Sequence, residues 1–122
     1  MGDMSYPKPS RHLAETRRKL APDAEAAFRA FGEAVFRDGA LPGKVKQLIA
    51  IAVAHTTQCP YCIQGHTKAA SRVGATPEEV MEAIWVAAEM RAGGAYAHSA
   101  LALDTLGLLD EEKATPAGEK AG

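Results

Sequence analysis

The sequence predicts an all-α fold, and three observations carry that prediction. Apolar residues recur at helical spacing through most of the chain, and Gly and Pro residues divide it at intervals of helix length. Nowhere does the two-residue alternation of a half-buried strand outcompete the helical period. Of the 122 residues, 47% are hydrophobic and 24% are charged, which is typical of one globular domain. We therefore expect a single-domain helical bundle of about six helices.

Three helices are expected in the first half of the chain, over about residues 10–20, 22–39 and 42–55. Ser10 is the expected N-cap of the first, which is amphipathic. Pro22 suits the first turn of the second, and Pro42 opens the third. From Leu48 to Ala54 the third helix is apolar on most sides, so we expect it to be central.

Three further helices are expected in the second half, over about residues 60–73, 77–92 and 95–106. Pro60 occupies the first position of the fourth helix. Thr76 and Glu79 have the spacing of a capping box at the start of the fifth. The pair Gly93-Gly94 is expected to end that helix and to separate it from a sixth.

The bundle is expected to span residues 22–107. Residues 1–21 would then be a partly helical N-terminal extension, and residues 108–122, charged and rich in Ala and Gly, a disordered tail. The apolar helix faces are wide for a chain of this length, which usually means burial against another copy. We therefore expect a homo-oligomer that assembles through these faces, with a tight monomeric bundle as the alternative.

Composition excludes several classes of protein. The 14 basic and 15 acidic residues leave a net charge of -1, which argues against nucleic acid as the main partner. No apolar run has the length of a membrane-spanning helix, and the N-terminus lacks the apolar core of a secretory signal. Two cysteines are too few for a disulfide scaffold. A cytoplasmic protein that binds neither nucleic acid nor membrane is the expectation.

The two cysteines lie three residues apart, and a histidine follows four residues later. On a helix that begins at Pro60, the side chains of Cys59, Cys62 and His66 fall within one narrow sector. Free N–H groups at a helix start favour negative charge, and a Cys-X-X-Cys at this position lowers the pKa of a thiol. The pattern therefore places a nucleophile beside a base, with a second thiol in range.

Three interpretations of this group compete. The first is a dithiol redox site, in which one cysteine attacks and the other closes a disulfide. The second is a metal site formed by His55, Cys59, Cys62 and His66, and the third is structural packing of small apolar cysteines. The redox interpretation is favoured, because structural zinc sites usually draw ligand pairs from two separated segments. A thioredoxin-like protein is disfavoured, since no strand precedes the motif.

Four short segments carry a more specific signal. They are KQLIA at residues 46–50, CPYCIQGH at 59–66, GAT at 74–76 and EEV at 78–80. Together they resemble the carboxymuconolactone decarboxylase family, and within it the AhpD-like alkylhydroperoxidase branch. The resemblance covers roughly Pro22 to Leu106, and its most specific part is the Cys-Pro-Tyr-Cys followed by a histidine.

This resemblance implies an all-helical domain that assembles as a homotrimer or homohexamer and needs no cofactor and no metal. It implies that Cys62 is the peroxidatic cysteine, that Cys59 completes the disulfide and that His66 belongs to a proton relay. The substrate would be a hydroperoxide or a disulfide, and an external dithiol would reduce the enzyme. The lactone chemistry of the decarboxylase branch proper is the weaker inference, because that branch lacks the Cys-X-X-Cys.

One residue departs from the family pattern. The relay of the AhpD-like branch uses a glutamate twelve residues before the first cysteine, where this chain has Gln47. An amide hydrogen-bonds but does not accept a proton at neutral pH. His55, Glu89 and His98 are the candidate substitutes, each also explained as an ordinary surface, helix-end or interface residue.

The leading hypothesis is therefore a thiol-dependent peroxidase or dithiol oxidoreductase. Two alternatives stay open: a lyase or isomerase on a small carboxylated ring, with His66 or His98 as acid or base, and a non-catalytic oligomeric protein with unreactive thiols.

Overall fold

The computed structural model describes residues 6–110, and all regular elements in that range are helices. In chain order they are α1 (Arg11–Leu20), α2 (Pro22–Phe36), α3 (Gly43–Thr57), α4 (Pro60–Arg72) and α5 (Pro77–Thr105). The predicted all-α class is confirmed. The expected disorder of the tail falls, from residue 111 onward, outside the described residues.

The helix starts follow the capping residues in the sequence. Ser10 Oγ accepts a hydrogen bond from Leu13 N at 3.0 Å, which makes Ser10 the N-cap of α1. At the start of α5, Thr76 Oγ1 accepts from Glu79 N at 3.1 Å, and Glu79 Oε1 accepts from Thr76 N at 2.9 Å. The predicted capping box is therefore present.

The prediction of about six helices is wrong at one point, because the expected fifth and sixth helices are one. α5 has 29 residues and continues through Gly93 and Gly94. A glycine inside a helix costs about 1 kcal/mol relative to alanine, which lowers stability without breaking the helix. The flanking residues are largely alanine and other strong helix formers, so the helix continues across the pair.

The chain divides into two compact units, Met1–Lys46 and Gln47–Gly122. In the first unit, Lys46 Nζ donates to the backbone oxygens of Val35 and Arg37, at 2.9 and 2.6 Å. These carbonyls lie at the C-terminal end of α2, where a cation is favourable. The loop that follows is closed by Asp38, whose Oδ1 accepts from Gly43 N.

In the second unit, the described residues include few buried apolar side chains, and most of these are small. They are Ile51, Ala54, Ala70 and Ala87, contributed by α3, α4 and α5. Many large apolar side chains of the described chain stay exposed instead. Among them are Phe28, Phe31, Trp85, Val86, Met90 and Tyr96, which are between 60 and 82% exposed. A single chain therefore leaves much of its apolar surface uncovered.

The junction between α3 and α4 is a tight helix end. Gln58 adopts a left-handed conformation, with φ of 59°, and Cys59 N donates to Ala54 O at 3.1 Å. This six-to-one hydrogen bond defines a Schellman motif. In the same motif at the ends of α4 and α5, the left-handed residue is a glycine, Gly74 or Gly107. Cys59 is thus fixed at the end of one helix and the start of the next.

We expect substitutions of Gln58 to separate by their tolerance of this conformation. Gln58→Val should lower the free energy of unfolding by about 1 kcal/mol relative to Gln58→Asn, because asparagine tolerates a positive φ and a β-branched residue does not. Both variants lose the hydrogen bond that Gln58 Nε2 donates to His55 O, so the comparison isolates the backbone. Urea unfolding at one fixed protein concentration measures the difference. Equal midpoints for the two variants would contradict this account.

Candidate active site

The two cysteines occupy the N-terminal turn of α4. Cys59 is the N-cap, Pro60 holds the first helical position, and Cys59 Sγ accepts a hydrogen bond from Cys62 N at 3.2 Å. The two sulfurs are joined as a disulfide, with their Cα atoms 5.3 Å apart. That separation lies within the usual range for disulfides. The pair is therefore placed for reversible closure without movement of the backbone.

The position of the sulfurs also determines their chemistry. The first turn of a helix has N–H groups without intrahelical partners, and these groups together with the helix dipole stabilise negative charge. Both cysteines are only half-buried, so small solutes and other thiols can reach them. After reduction, this environment favours the thiolate, which is the nucleophilic form of cysteine.

His66 lies one turn after Cys62, on the same side of α4. Its Nδ1 is 2.8 Å from Oε1 of Gln47, which α3 contributes. An amide oxygen only accepts hydrogen bonds, so His66 Nδ1 is the donor and the basic lone pair of the neutral ring is on Nε2. Gln47 thereby fixes both the tautomer and the ring orientation of His66.

Gln47 lies at the position where the resemblance predicts a glutamate. Its hydrogen bond to His66 shows which functions of a glutamate an amide can replace. It holds the imidazole by one hydrogen bond, as a carboxylate at the same position would. It cannot receive a proton from the ring, because a neutral amide is not a base at ordinary pH. The Gln47 amide therefore orients the His66 ring, and it cannot be the terminal base of a proton relay.

The other three relay candidates lie elsewhere, and two of them hydrogen-bond within their own helices. His55 Nδ1 donates to Ile51 O at 2.8 Å and His98 Nδ1 to Gly94 O at 2.7 Å, each within its own helix. Glu89 is exposed on α5. Of the four candidates, Gln47 is thus the one that the structure joins to His66 by a hydrogen bond.

A cavity of about 480 Å³ lies beside the junction of α3 and α4. Its lining residues are His55, Gln58, Ile84, Ala87, Ala88 and Arg91. Arg91 of α5 donates through Nη1 to Thr56 O at 2.9 Å, which ties α5 to the last turn of α3. Sequence reasoning overlooked Arg91, because the neighbouring Gly93-Gly94 suggested a helix end. Its position as the one arginine or lysine between Glu89 and Gly107 was the available signal.

Comparison with known sequences identifies the family. Residues 22–105 match the sequence model of the carboxymuconolactone decarboxylase family, which is well over half of the chain. The chain belongs to the carboxymuconolactone decarboxylase family. The resemblance seen in the sequence is confirmed, and the helical fold agrees with it.

Individual relatives support the assignment to the carboxymuconolactone decarboxylase family. A Paracoccus denitrificans protein named "Uncharacterized protein 4 in cox locus" is 59% identical over 110 residues, covering 90% of this chain and 98% of that protein. A family member from Legionella pneumophila, known from its crystal structure without ligand, is 34% identical with a TM-score of 0.64. The match covers 82% of this chain and 87% of that one. A Thermotoga maritima crystal structure is 28% identical with a TM-score of 0.61, covering 93% and 96% of the two chains.

Two further findings concern metal binding and membrane-spanning helices. Within residues 6–110, no three His, Cys, Asp or Glu side chains converge as a metal-binding group. None of the helices in the same range combines the length and apolar character needed to cross a bilayer. What the site does contain is a thiol pair that closes as a disulfide and an imidazole of defined tautomer on the same helix.

Proposed function

We propose that this chain is a thiol-dependent peroxidase of the AhpD-like branch, acting in the cytoplasm on hydroperoxides without a cofactor. The observation that carries the proposal is the Cys59–Cys62 disulfide at the N-terminus of α4. Such a pair in a reducing compartment is typically catalytic rather than structural. His66, oriented by its hydrogen bond to Gln47, adds a group on α4 that can accept and donate a proton.

In the first step, the Cys62 thiolate attacks the distal oxygen of the hydroperoxide, R–O–O–H. An S–O bond forms, the O–O bond breaks, and Cys62 becomes a sulfenic acid. The leaving oxygen departs as the alkoxide RO⁻ and takes one proton to become the alcohol. His66 supplies that proton from Nε2, which first takes up the proton released when the Cys62 thiol ionises, and its side chain lies one turn from Cys62 on the same face.

In the second step, the Cys59 thiol attacks the sulfur of the sulfenic acid. The disulfide forms, and the hydroxyl group of the sulfenic acid leaves with the thiol proton as water. An external dithiol then reduces the disulfide by exchange through a mixed disulfide. The sum of the cycle is one hydroperoxide reduced to an alcohol and water, and one dithiol oxidised.

We also propose that the chain assembles as a homotrimer or homohexamer. Trp85 and Met90 on α5 are 65 and 64% exposed, and the single chain has a very small buried core. Burial of such side chains against other copies contributes roughly 1.5–3 kcal/mol each. Light scattering coupled to size exclusion should give three or six times the chain mass of 12.9 kDa. A monomeric mass at micromolar concentration would contradict this proposal.

The activity is tested with fully reduced protein and one equivalent of an alkyl hydroperoxide. We expect loss of two hydrogens from the intact mass and a peptide that joins Cys59 to Cys62, with the hydroperoxide consumed in parallel. With excess dithiol, consumption should become catalytic. A protein whose thiols were blocked by alkylation beforehand is the control. Persistence of both free thiols beside unreacted hydroperoxide would reject the proposal.

A further inference from the structure

The cavity beside the α3–α4 junction has a charge that no ion pair among residues 6–110 balances. Arg91 is one of its lining residues, and a guanidinium is permanently charged. The ion pair found within residues 6–110 joins Arg29 to Glu25 and does not involve Arg91. The hydrogen bond that Arg91 has is to a neutral backbone oxygen, Thr56 O, through one of its five N–H groups.

The other lining residues complement an anion with an apolar body. None of the six is an acid. Gln58, another lining residue, donates through one N–H of Nε2 to His55 O, and its amide has a second N–H that can donate. Ile84, Ala87 and Ala88 form an apolar wall along one side. A charged end and a hydrocarbon surface therefore meet within one cavity.

We propose that this cavity binds a small organic carboxylate carried on an apolar skeleton. A carboxylate is planar and matches the fork of a guanidinium by two parallel hydrogen bonds, while the skeleton lies against Ile84 and Ala88. Inorganic phosphate fits less well, because it has no apolar part for the wall. Gln58, which lines the cavity, directly precedes Cys59 in the chain. Resting on the proposed peroxidase function, the inference is that the preferred hydroperoxides carry a carboxylate.

Binding is tested without turnover by titrating isotope-labelled protein with hexanoate and, separately, with hexan-1-ol of the same chain length. We expect hexanoate to shift the amide signals of the cavity residues and to bind at least tenfold more tightly than the alcohol, the effect of about one charge-assisted hydrogen bond. Inorganic phosphate at the same concentration should not displace it. Equal affinity for the acid and the alcohol, or displacement by phosphate, would overturn the assignment.

The matched variants are Ala88→Glu and Ala88→Gln. Ala88 is exposed and lies three residues before Arg91 on α5, so a carboxylate at this position faces the guanidinium and neutralises it. The Gln variant adds almost the same volume without the charge. Because Ala88 lines the cavity, both variants add volume there, and we expect Ala88→Glu to weaken hexanoate binding at least tenfold more than Ala88→Gln does. Equal hexanoate affinity in both variants would overturn the proposal.

Turnover separates this inference from the function on which it rests. The substrates are a hydroperoxide of an unsaturated fatty acid and its methyl ester, which differ in the carboxylate alone. We expect kcat/KM to favour the free acid about tenfold, and Ala88→Glu to remove the preference. Equal rates for the acid and the ester would reject the carboxylate site without contradicting the proposed peroxidase activity. Hexanoate binding without consumption of any hydroperoxide would reject the peroxidase and leave the site standing.

Discussion

Cys62→Ser is expected to lower the rate of hydroperoxide consumption by roughly 10³-fold or more, as removal of an enzyme nucleophile does. The reason is ionisation: a serine hydroxyl stays protonated at neutral pH, whereas a thiol at the first turn of α4 has backbone N–H groups to stabilise its anion. The measurement is hydroperoxide loss with dithiol in excess. The variant retains Cys59 and every other contact of the site, so the effect reports the attacking sulfur.

Cys59→Ser is the matched control, because it removes the sulfur that closes the disulfide and leaves the one that attacks. We expect one rapid turnover, a sulfenic acid on Cys62 that a sulfenic-specific reagent labels, and slow turnover afterwards. The opposite result, with the label on Cys59 in Cys62→Ser, would assign the attack to Cys59, whose sulfur accepts the Cys62 N–H. Undiminished turnover in both variants would exclude a thiol mechanism and would favour the alternative in which His66 or His98 acts as acid or base.

The parts of the fold that the sequence predicted correctly depend on short-range interactions. Ser10, Pro60 and the Thr76–Glu79 pair act within one turn, and each begins a helix where expected. The Gly93-Gly94 pair did not end the helix. A helix end needs a residue that leaves the helical conformation, and low helix propensity alone is not sufficient. At the ends of α4 and α5 that residue is a left-handed glycine with its six-to-one hydrogen bond.

The same distinction between short-range and long-range interactions applies to the candidate active site. The two cysteines, Cys59 and Cys62, have a sequence separation of three, and their location at a helix start could be predicted from Pro60 alone. The Gln47–His66 hydrogen bond spans 19 residues, and the Arg91–Thr56 bond spans 35. No periodicity in the chain encodes contacts of that length. Family resemblance singled out Gln47, but it offered no counterpart for Arg91, which emerged from the structure.

His66→Gln is expected to lower kcat/KM for an alkyl hydroperoxide about 100-fold, the usual effect of losing one general acid. An alkoxide is a poor leaving group unless it is protonated as the O–O bond breaks, and glutamine has no proton of suitable acidity to give. Gln47→Leu should have a smaller effect, about tenfold, because His66 remains but loses the hydrogen bond that fixes its tautomer. Steady-state rates on the purified variants measure both effects.

A change of substrate distinguishes proton donation by His66 from a structural role. A peroxycarboxylic acid releases a carboxylate, which is a stable anion and leaves without receiving a proton. His66→Gln should therefore consume a peroxycarboxylic acid within about threefold of the wild-type rate while remaining about 100-fold slower with the alkyl hydroperoxide. A merely distorted site would slow both substrates alike, because both need the Cys62 thiolate. An equal loss with the two substrates would therefore remove His66 from the proton transfer, whereas a selective loss places its proton on the leaving oxygen.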